Sequence, residues 1–271
     1  MNTKLIDLHN DLLTGGGDFQ EYNNAEKSGY KSIYALYKGE RSLNDISEIY
    51  SCAYSNGVRN FAFEDGCYTE SSEFEKLMEK VIPLYVSPCW NYENDFCGGC
   101  KSDVGLKEKG RLFIKKLNDI NIPLDLAHTN RKTFYQTIDV ADNVLCSHTS
   151  FSFICDSVRN IDDNQIRIIL EKDGVVGLCF VGYFLSENAK AKSQKQLESA
   201  FYEAIERYLQ KFGVKGLCIG SDFFGTDLLA FGSYDYFYNS FCDHFSANYS
   251  TDVLNAILYK NATVFFGAAL S

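Results

Sequence analysis

The chain has 271 residues, 45% of them hydrophobic, and only three prolines, so residues 1–271 read as a single domain with a substantial core and no linker. A net charge of −10 excludes a nucleic-acid surface, which needs cations to replace counterions, and fits a protein that acts on small molecules. With no apolar leader and no run of about 18 apolar residues, a cytoplasmic protein without a membrane anchor is expected.

Eight short apolar runs follow one another along the chain, at 4–9, 31–37, 58–63, 81–87, 122–127, 143–148, 174–180 and 216–221. Several are nearly continuous rather than alternating, as parallel strands buried on both faces require. Between them lie stretches with helical period. Leu106, Phe113, Leu117 and Ile120 share one face of 105–121, and Leu197, Phe201, Ile205, Leu209 and Phe212 share one face of 195–212. Shorter helices are predicted at 43–56, 71–80, 131–141, 163–172 and 250–260, the last with Ser250 or Thr251 as its N-cap. The first crossover, about 18–30, carries no convincing helical pattern. Strands and helices alternating eight times in one chain predict an α/β fold, a (β/α)8 TIM-type barrel.

In such a barrel the functional groups stand where strands end, at the C-terminal mouth. His9 and Asp11 follow the first run, Glu64 the third, His128 the fifth, His148 the sixth and Asp222 the eighth. His9 and Asp11 lie two apart, so an extended strand would project both to one side. Taken alone they also suit a polar strand end that caps the next turn. Three of the four histidines fall at strand ends, and the set exceeds the three protein ligands of a single catalytic zinc. It suits two divalent metals about 3.5–4 Å apart with a carboxylate between them, and therefore hydrolysis of an amide, ester or phosphate. Arg159 lies in the loop after the sixth run. It can be read as a surface residue or as a bidentate grip on a substrate carboxylate. The ten cysteines are scattered and read mainly as small buried hydrophobes. The exception is Cys97-Gly98-Gly99-Cys100, a CxxC that can be redox-active or half a zinc site but, with no second CxxC and no βαβ pattern around it, reads as structural or incidental.

The stretches Ile6-Asp7-Leu8-His9-Asn10-Asp11, Phe63-Glu64-Asp65-Gly66, Leu124-Asp125-Leu126-Ala127-His128, Cys146-Ser147-His148-Thr149-Ser150, Val158-Arg159-Asn160-Ile161-Asp162-Asp163 and Ile219-Gly220-Ser221-Asp222-Phe223 together resemble the membrane dipeptidase family of zinc metallopeptidases, within the amidohydrolase superfamily. The resemblance implies two Zn2+ per chain, with His9, Asp11 and Asp222 on one, His128 and His148 on the other, and Glu64 bridging. It implies that a metal-bridging hydroxide attacks the peptide bond of a dipeptide, with Asp222 as proton shuttle. Arg159 matches the arginine that grips the substrate carboxylate, with Asn160 beside it. Trp90 stands where other members carry an oxyanion-steadying histidine. The family's Asp-Phe-Asp-Gly becomes Asp222-Phe223-Phe224-Gly225, and an Asn-Phe-Tyr-like turn becomes Cys179-Phe180-Val181, so the pocket wall is expected to differ while the metal ligands remain. The resemblance admits a homodimer, although no interface is legible in the residues. Another small amide or a lactone is the alternative substrate. A non-catalytic metal-binding relative is the third reading, against which all six ligands are present.

Overall fold

Seven parallel strands form one sheet in the order β3-β2-β1-β7-β6-β5-β4, where β1 is Leu5–Asn10, β2 Tyr30–Tyr37, β3 Phe61–Glu64, β4 Leu124–Asp125, β5 Val144–Thr149, β6 Val175–Leu178 and β7 Leu217–Ile219. The computed structural model describes residues 3–66 and 81–270, so the helix expected over 71–80 lies outside the described residues. The fourth run, 81–87, does not become a full strand. It enters the gap between β3 and β4 and pairs through Val86 alone, which bridges Phe63 on one side and Leu124 on the other, both in parallel. Leu84 N–H donates to Phe61 O at 2.8 Å, Ser87 N–H to Phe63 O at 2.9 Å, and Asp125 N–H to Val86 O at 2.9 Å. Pro83 and Pro88 flank this segment and supply no N–H, which keeps the pairing short. The two sheet edges are thus joined and the ring closes with eight staves.

Every residue of β1, β3, β5, β6 and β7 is buried, as the nearly unbroken apolar runs required. A smaller cluster draws Ile6, Leu8, Ile33, Ala62, Tyr85, Leu145, Val175 and Cys218 from successive staves, with Ala262 and Phe266 beside them. This is the filling of a barrel interior rather than a pore.

Around the ring lie α1 (Phe19–Ser28), α2 (Leu43–Ser55), α3 (Glu108–Asp119), α4 (Arg131–Ile138), α5 (Asp163–Glu171), α6 (Gln194–Phe212) and α7 (Tyr234–Phe245). Helix α1 corrects the expectation of none over 18–30. Asp18 and Glu21 form a capping box that starts it, and Gly29 in a left-handed conformation ends it. None of its residues is fully buried, and its apolar stripe is only Phe19, Tyr22 and Ala25, too weak for a periodicity search to find. Helix α3 ends before Ile120, which is 56% exposed and so does not share the buried face assigned to it. The aromatic-rich stretch 234–245, not assigned from its pattern, is helical and packs Phe237, Phe241 and Phe245 inward. The closing helix starts at its Ser250 cap but runs on to Phe266 through a π turn at Ala256–Lys260.

Asp7 ties the sheet together where β1 and β7 meet. It is fully buried and accepts from His9 N–H at 3.2 Å, Ser221 N–H at 2.6 Å, Ser221 Oγ and Tyr234 Oη. Burial, against those donors, pushes its carboxyl up to about 6. Asp7→Ala should therefore cost about 2–4 kcal/mol in urea unfolding, because several buried donors lose their acceptor together.

Candidate metal centre

Strand ends bring the six residues together. Asp222 N–H donates to His9 O at 3.1 Å and Asp11 N–H to Phe223 O at 2.8 Å, so the chain after β7 zips alongside the end of β1. His128 and Asp222 both adopt left-handed backbone, with φ of 68° and 60°. Side chains other than glycine rarely rest there, and such geometry collects at functional sites. Gly225 packs against the pair of carboxylates. A Cβ on it would lie 2.3 Å from Asp222 Oδ1 and 2.4 Å from Asp11 Oδ2.

Each of the three imidazoles is held by a partner behind it, and each partner selects the same tautomer. His9 Nδ1 is 2.8 Å from Tyr85 Oη, whose single proton goes to Leu8 O at 2.8 Å, so the hydroxyl accepts from Nδ1–H. His148 Nδ1 is 2.8 Å from Ser147 Oγ, whose proton goes to Asp125 Oδ2 at 2.7 Å. His128 Nδ1 is 2.8 Å from Asn91 Oδ1, an acceptor only. With Nδ1 protonated in all three, every Nε2 lone pair faces the centre. His9 Nε2 is buried and has no hydrogen-bond partner, although Asp11 Oδ2 lies 3.3 Å away and Glu64 Oε2 3.9 Å away. His128 Nε2 and His148 Nε2 stand 2.8 Å apart, lone pair against lone pair, with Glu64 Oε1 at 2.8 and 4.0 Å from them. Two acceptors that close repel unless a cation lies near both. His9, Glu64 and His148 form one group of converging donors, and His9, Asp11 and Asp222 a second. Converging imidazole nitrogens and carboxylate oxygens are the donor types of zinc and similar divalent ions, and the residues fit such a group.

The electrostatics agree. Burial, reinforced by Asp11, raises Asp222 to about 8, and burial with Asp11 raises Glu64 well above the carboxylate range. Burial depresses His128 and His148, reinforced for His128 by Arg159 and for His148 by His9. His9 is the exception. Burial opposes its proton, but Asp11, Glu64 and Asp222 outweigh that and lift it to about 10. Metal-free protein therefore holds protons where cationic charge is wanted.

The supporting residues were not singled out in the sequence. Asp7 and Asp125 sit inside apolar runs, and a carboxylate in such a run has to find buried donors; that was the available signal. Asp125 accepts from Ser87 Oγ, Ser147 Oγ, Ala127 N–H and Ser147 N–H, and so fixes the ends of three neighbouring staves. Tyr85 and Asn91 carried no signal, because only the closed ring brings them behind His9 and His128. Cys100 donates to the same Asn91 Oδ1 at 3.1 Å. A Cβ on Gly99 would lie 1.9 Å from Trp90 O, so the Cys97–Cys100 turn packs tightly behind the Trp90 segment.

A cavity of about 580 Å³ opens over the cluster, walled by Asp11, Glu64, His128, Asp222, Trp90 and Arg159 among others. That size suits a small molecule. Trp90 packs against Tyr37 and lies 6.0 Å from the His128 ring. The Arg159 guanidinium rests 5.1 Å from the Phe184 ring and donates to His148 O at 3.3 Å. Asn160 turns elsewhere. Its Nδ2 binds Cys155 O at 2.9 Å and Phe184 O at 2.8 Å, and it lines a neighbouring cavity instead. Of the residues expected to alter the wall, Phe224 and Val181 line the cavity, while Cys179 and Phe180 are fully buried behind it.

A parallel barrel with imidazoles and carboxylates converging at its C-terminal mouth defines the metal-dependent hydrolase class of barrel. Residues 17–264 match the model of the membrane dipeptidase family (peptidase family M19), and the chain belongs to that family. It is 30% identical over 152 residues to the uncharacterised protein of the pqqA 5′ region of Klebsiella pneumoniae, covering 53% of this chain and 56% of that one. It is 27% identical over 160 residues to an uncharacterised dipeptidase of Schizosaccharomyces pombe, covering 56% of this chain and 37% of that one. These alignments span roughly a third to a little over half of those relatives. The fold matches a metallopeptidase from Rhodobacter sphaeroides liganded with a phosphinate mimic of the dipeptide L-Ala-D-Ala, at 18% identity, a TM-score of 0.77, and coverage of 98% of this chain and 99% of that one. No helix among the described residues is long and apolar enough to cross a membrane.

Metal loading at pH 7 should expel protons from His9 and Asp222, whose metal-free affinities for a proton are raised. Calorimetric zinc titrations should give heats that vary with buffer ionisation enthalpy, and the apparent affinity should climb from pH 6 to 9. Asn91→Ala should weaken metal binding about 10–100-fold by freeing the His128 ring, read as the zinc concentration giving half-occupancy.

Proposed function

We propose that this chain is a cytoplasmic dipeptidase carrying two zinc ions, His9, Asp11 and Asp222 holding one, His128 and His148 the other, and Glu64 lying between. The observation that carries the reading is the convergence of three Nε2 lone pairs and three carboxylates, with His128 and His148 only 2.8 Å apart at Nε2. Two bound divalent ions supply a Lewis acid and lower the pKa of water toward neutrality.

The chain's own residues supply the rest. Arg159 lies on the cavity wall with donors of its guanidinium free for a terminal carboxylate, which would set the peptide bond over the metal ligands. Asp222 lines the cavity beside the other ligands, and its carboxylate is placed to take a proton and return it to the leaving amine. Trp90 carries no charge and one N–H, so it contributes shape and at most one hydrogen bond. The dipeptide-mimic ligand of the Rhodobacter sphaeroides structure supports the same substrate class.

Zinc-loaded protein should cleave members of a dipeptide panel that includes D-residue substrates, and chelation should abolish the activity. Two bound zincs with no cleavage anywhere on the panel would overturn the substrate assignment. Arg159→Ala should lower kcat/KM about 10²-fold, mainly through KM, since it removes a charge-assisted grip made in the ground state as well. Undiminished activity in that variant would favour a small amide or lactone without the terminal carboxylate.

A further inference from the structure

The active cavity carries cations that the metal ligands do not explain. Asp11, Glu64 and Asp222 are the only carboxylates among the described residues that line it, and all three belong to the metal cluster. Arg41, Lys101 and Arg159 line it as well. None of these cations forms an ion pair among the described residues. Lys101 is exposed at the rim and lies over the Tyr92 ring. Arg159 is accounted for by a terminal carboxylate. Arg41 is not.

Arg41 is partly buried and held in place from behind. Its Nη2 donates to Thr14 O at 2.8 Å and its Nη1 reaches Tyr37 O at 3.4 Å. A guanidinium has five N–H donors, so others remain for a ligand. Its place in the ring is informative. Arg41 follows β2 and Arg159 follows β5. With the 84–87 segment counted as a stave, these two are four steps apart in either direction around eight. The two arginines therefore enter the same cavity from opposite staves of the ring, and the metal cluster lines that cavity too. A zwitterionic dipeptide has one carboxylate, which Arg159 takes, and its α-ammonium would leave Arg41 unanswered.

Building on the dipeptidase reading, we infer that the site prefers substrates with a second anionic group, a carboxylate on the side chain of the amino-terminal residue, and that Arg41 receives it. A carboxylate there completes the charge balance of the mouth and can pair with the planar fork of Arg41 through two hydrogen bonds. Phe224 also lines this cavity and offers it no carboxylate.

The test uses zinc-loaded protein and two readouts. Calorimetry compares non-hydrolysable phosphinate analogues of Glu-Ala and Gln-Ala, and kinetics compares kcat/KM for the two peptides. The wild type should favour the Glu ligand about tenfold, the worth of one charge-assisted hydrogen bond, and the margin should shrink in high salt. Arg41→Gln, which can still donate to Thr14 O, should bring the ratio close to one, Arg41→Lys should keep part of it, and Arg41→Glu should turn the preference toward Lys-Ala. Equal binding of both analogues by the wild type, or a preference that survives Arg41→Gln, would overturn the inference. Binding with the expected preference but no cleavage of either peptide would instead sink the dipeptidase reading and leave the acidic-ligand site standing. Equal cleavage of both peptides would do the reverse.

Discussion

Three imidazoles locked in one tautomer meet three carboxylates at the floor of the cavity, and the mouth of the barrel is arranged around that meeting. Lone pairs only 2.8 Å apart at His128 and His148 repel, and buried carboxylates repel one another. A proton can relieve this in part, as the raised affinities of His9 and Asp222 indicate. A divalent cation relieves it more fully, since it offers positive charge to several donors at once. The partners behind the imidazoles make the arrangement costly to escape. Tyr85, Asn91 and Ser147 each hold an Nδ1, so no ring can turn its lone pair away without breaking a buried hydrogen bond.

The same partners link the site to the fold. Asp125 binds the ends of three staves and, through Ser147, orients His148. Asp7 binds the first and last strands and accepts from the His9 backbone. Tyr85, in the stave reduced to a single bridging residue, sets His9. Barrel closure and metal-site geometry therefore rest on shared hydrogen bonds. The short stave is no defect in this respect, since a segment held by few backbone pairs can still deliver Tyr85, Ser87 and Trp90 to the mouth.

Much of the architecture was legible because it depends on periodicity. Unbroken apolar runs bounded by turns identify buried parallel strands, and the stripe Leu197, Phe201, Ile205 identifies α6. Helix α1 was illegible for the converse reason: a helix that buries no residue completely leaves only a weak stripe, here Phe19, Tyr22 and Ala25, and its Asp18–Glu21 cap is the clearer mark. The 81–87 run read as a full strand because apolar composition does not register that two flanking prolines limit its pairing.

For the site, the order of the chain alone determined which residues are chemically competent, because a barrel places its strand ends together and the polar residues there stand out against apolar runs. His9, Asp11, Glu64, His128, His148 and Asp222 follow from that pattern. Only the tertiary structure decided what stands behind and opposite them. Tyr85 and Asn91 are remote in sequence from the rings they orient, Asn160 turns out of the cavity to bind loop carbonyls, and Arg41 and Arg159 share a cavity only because the ring of staves closes. The difference has a physical cause: periodicity records which face of an element is buried, whereas hydrogen-bond partners and facing charges depend on the ring's closure, which no local pattern encodes.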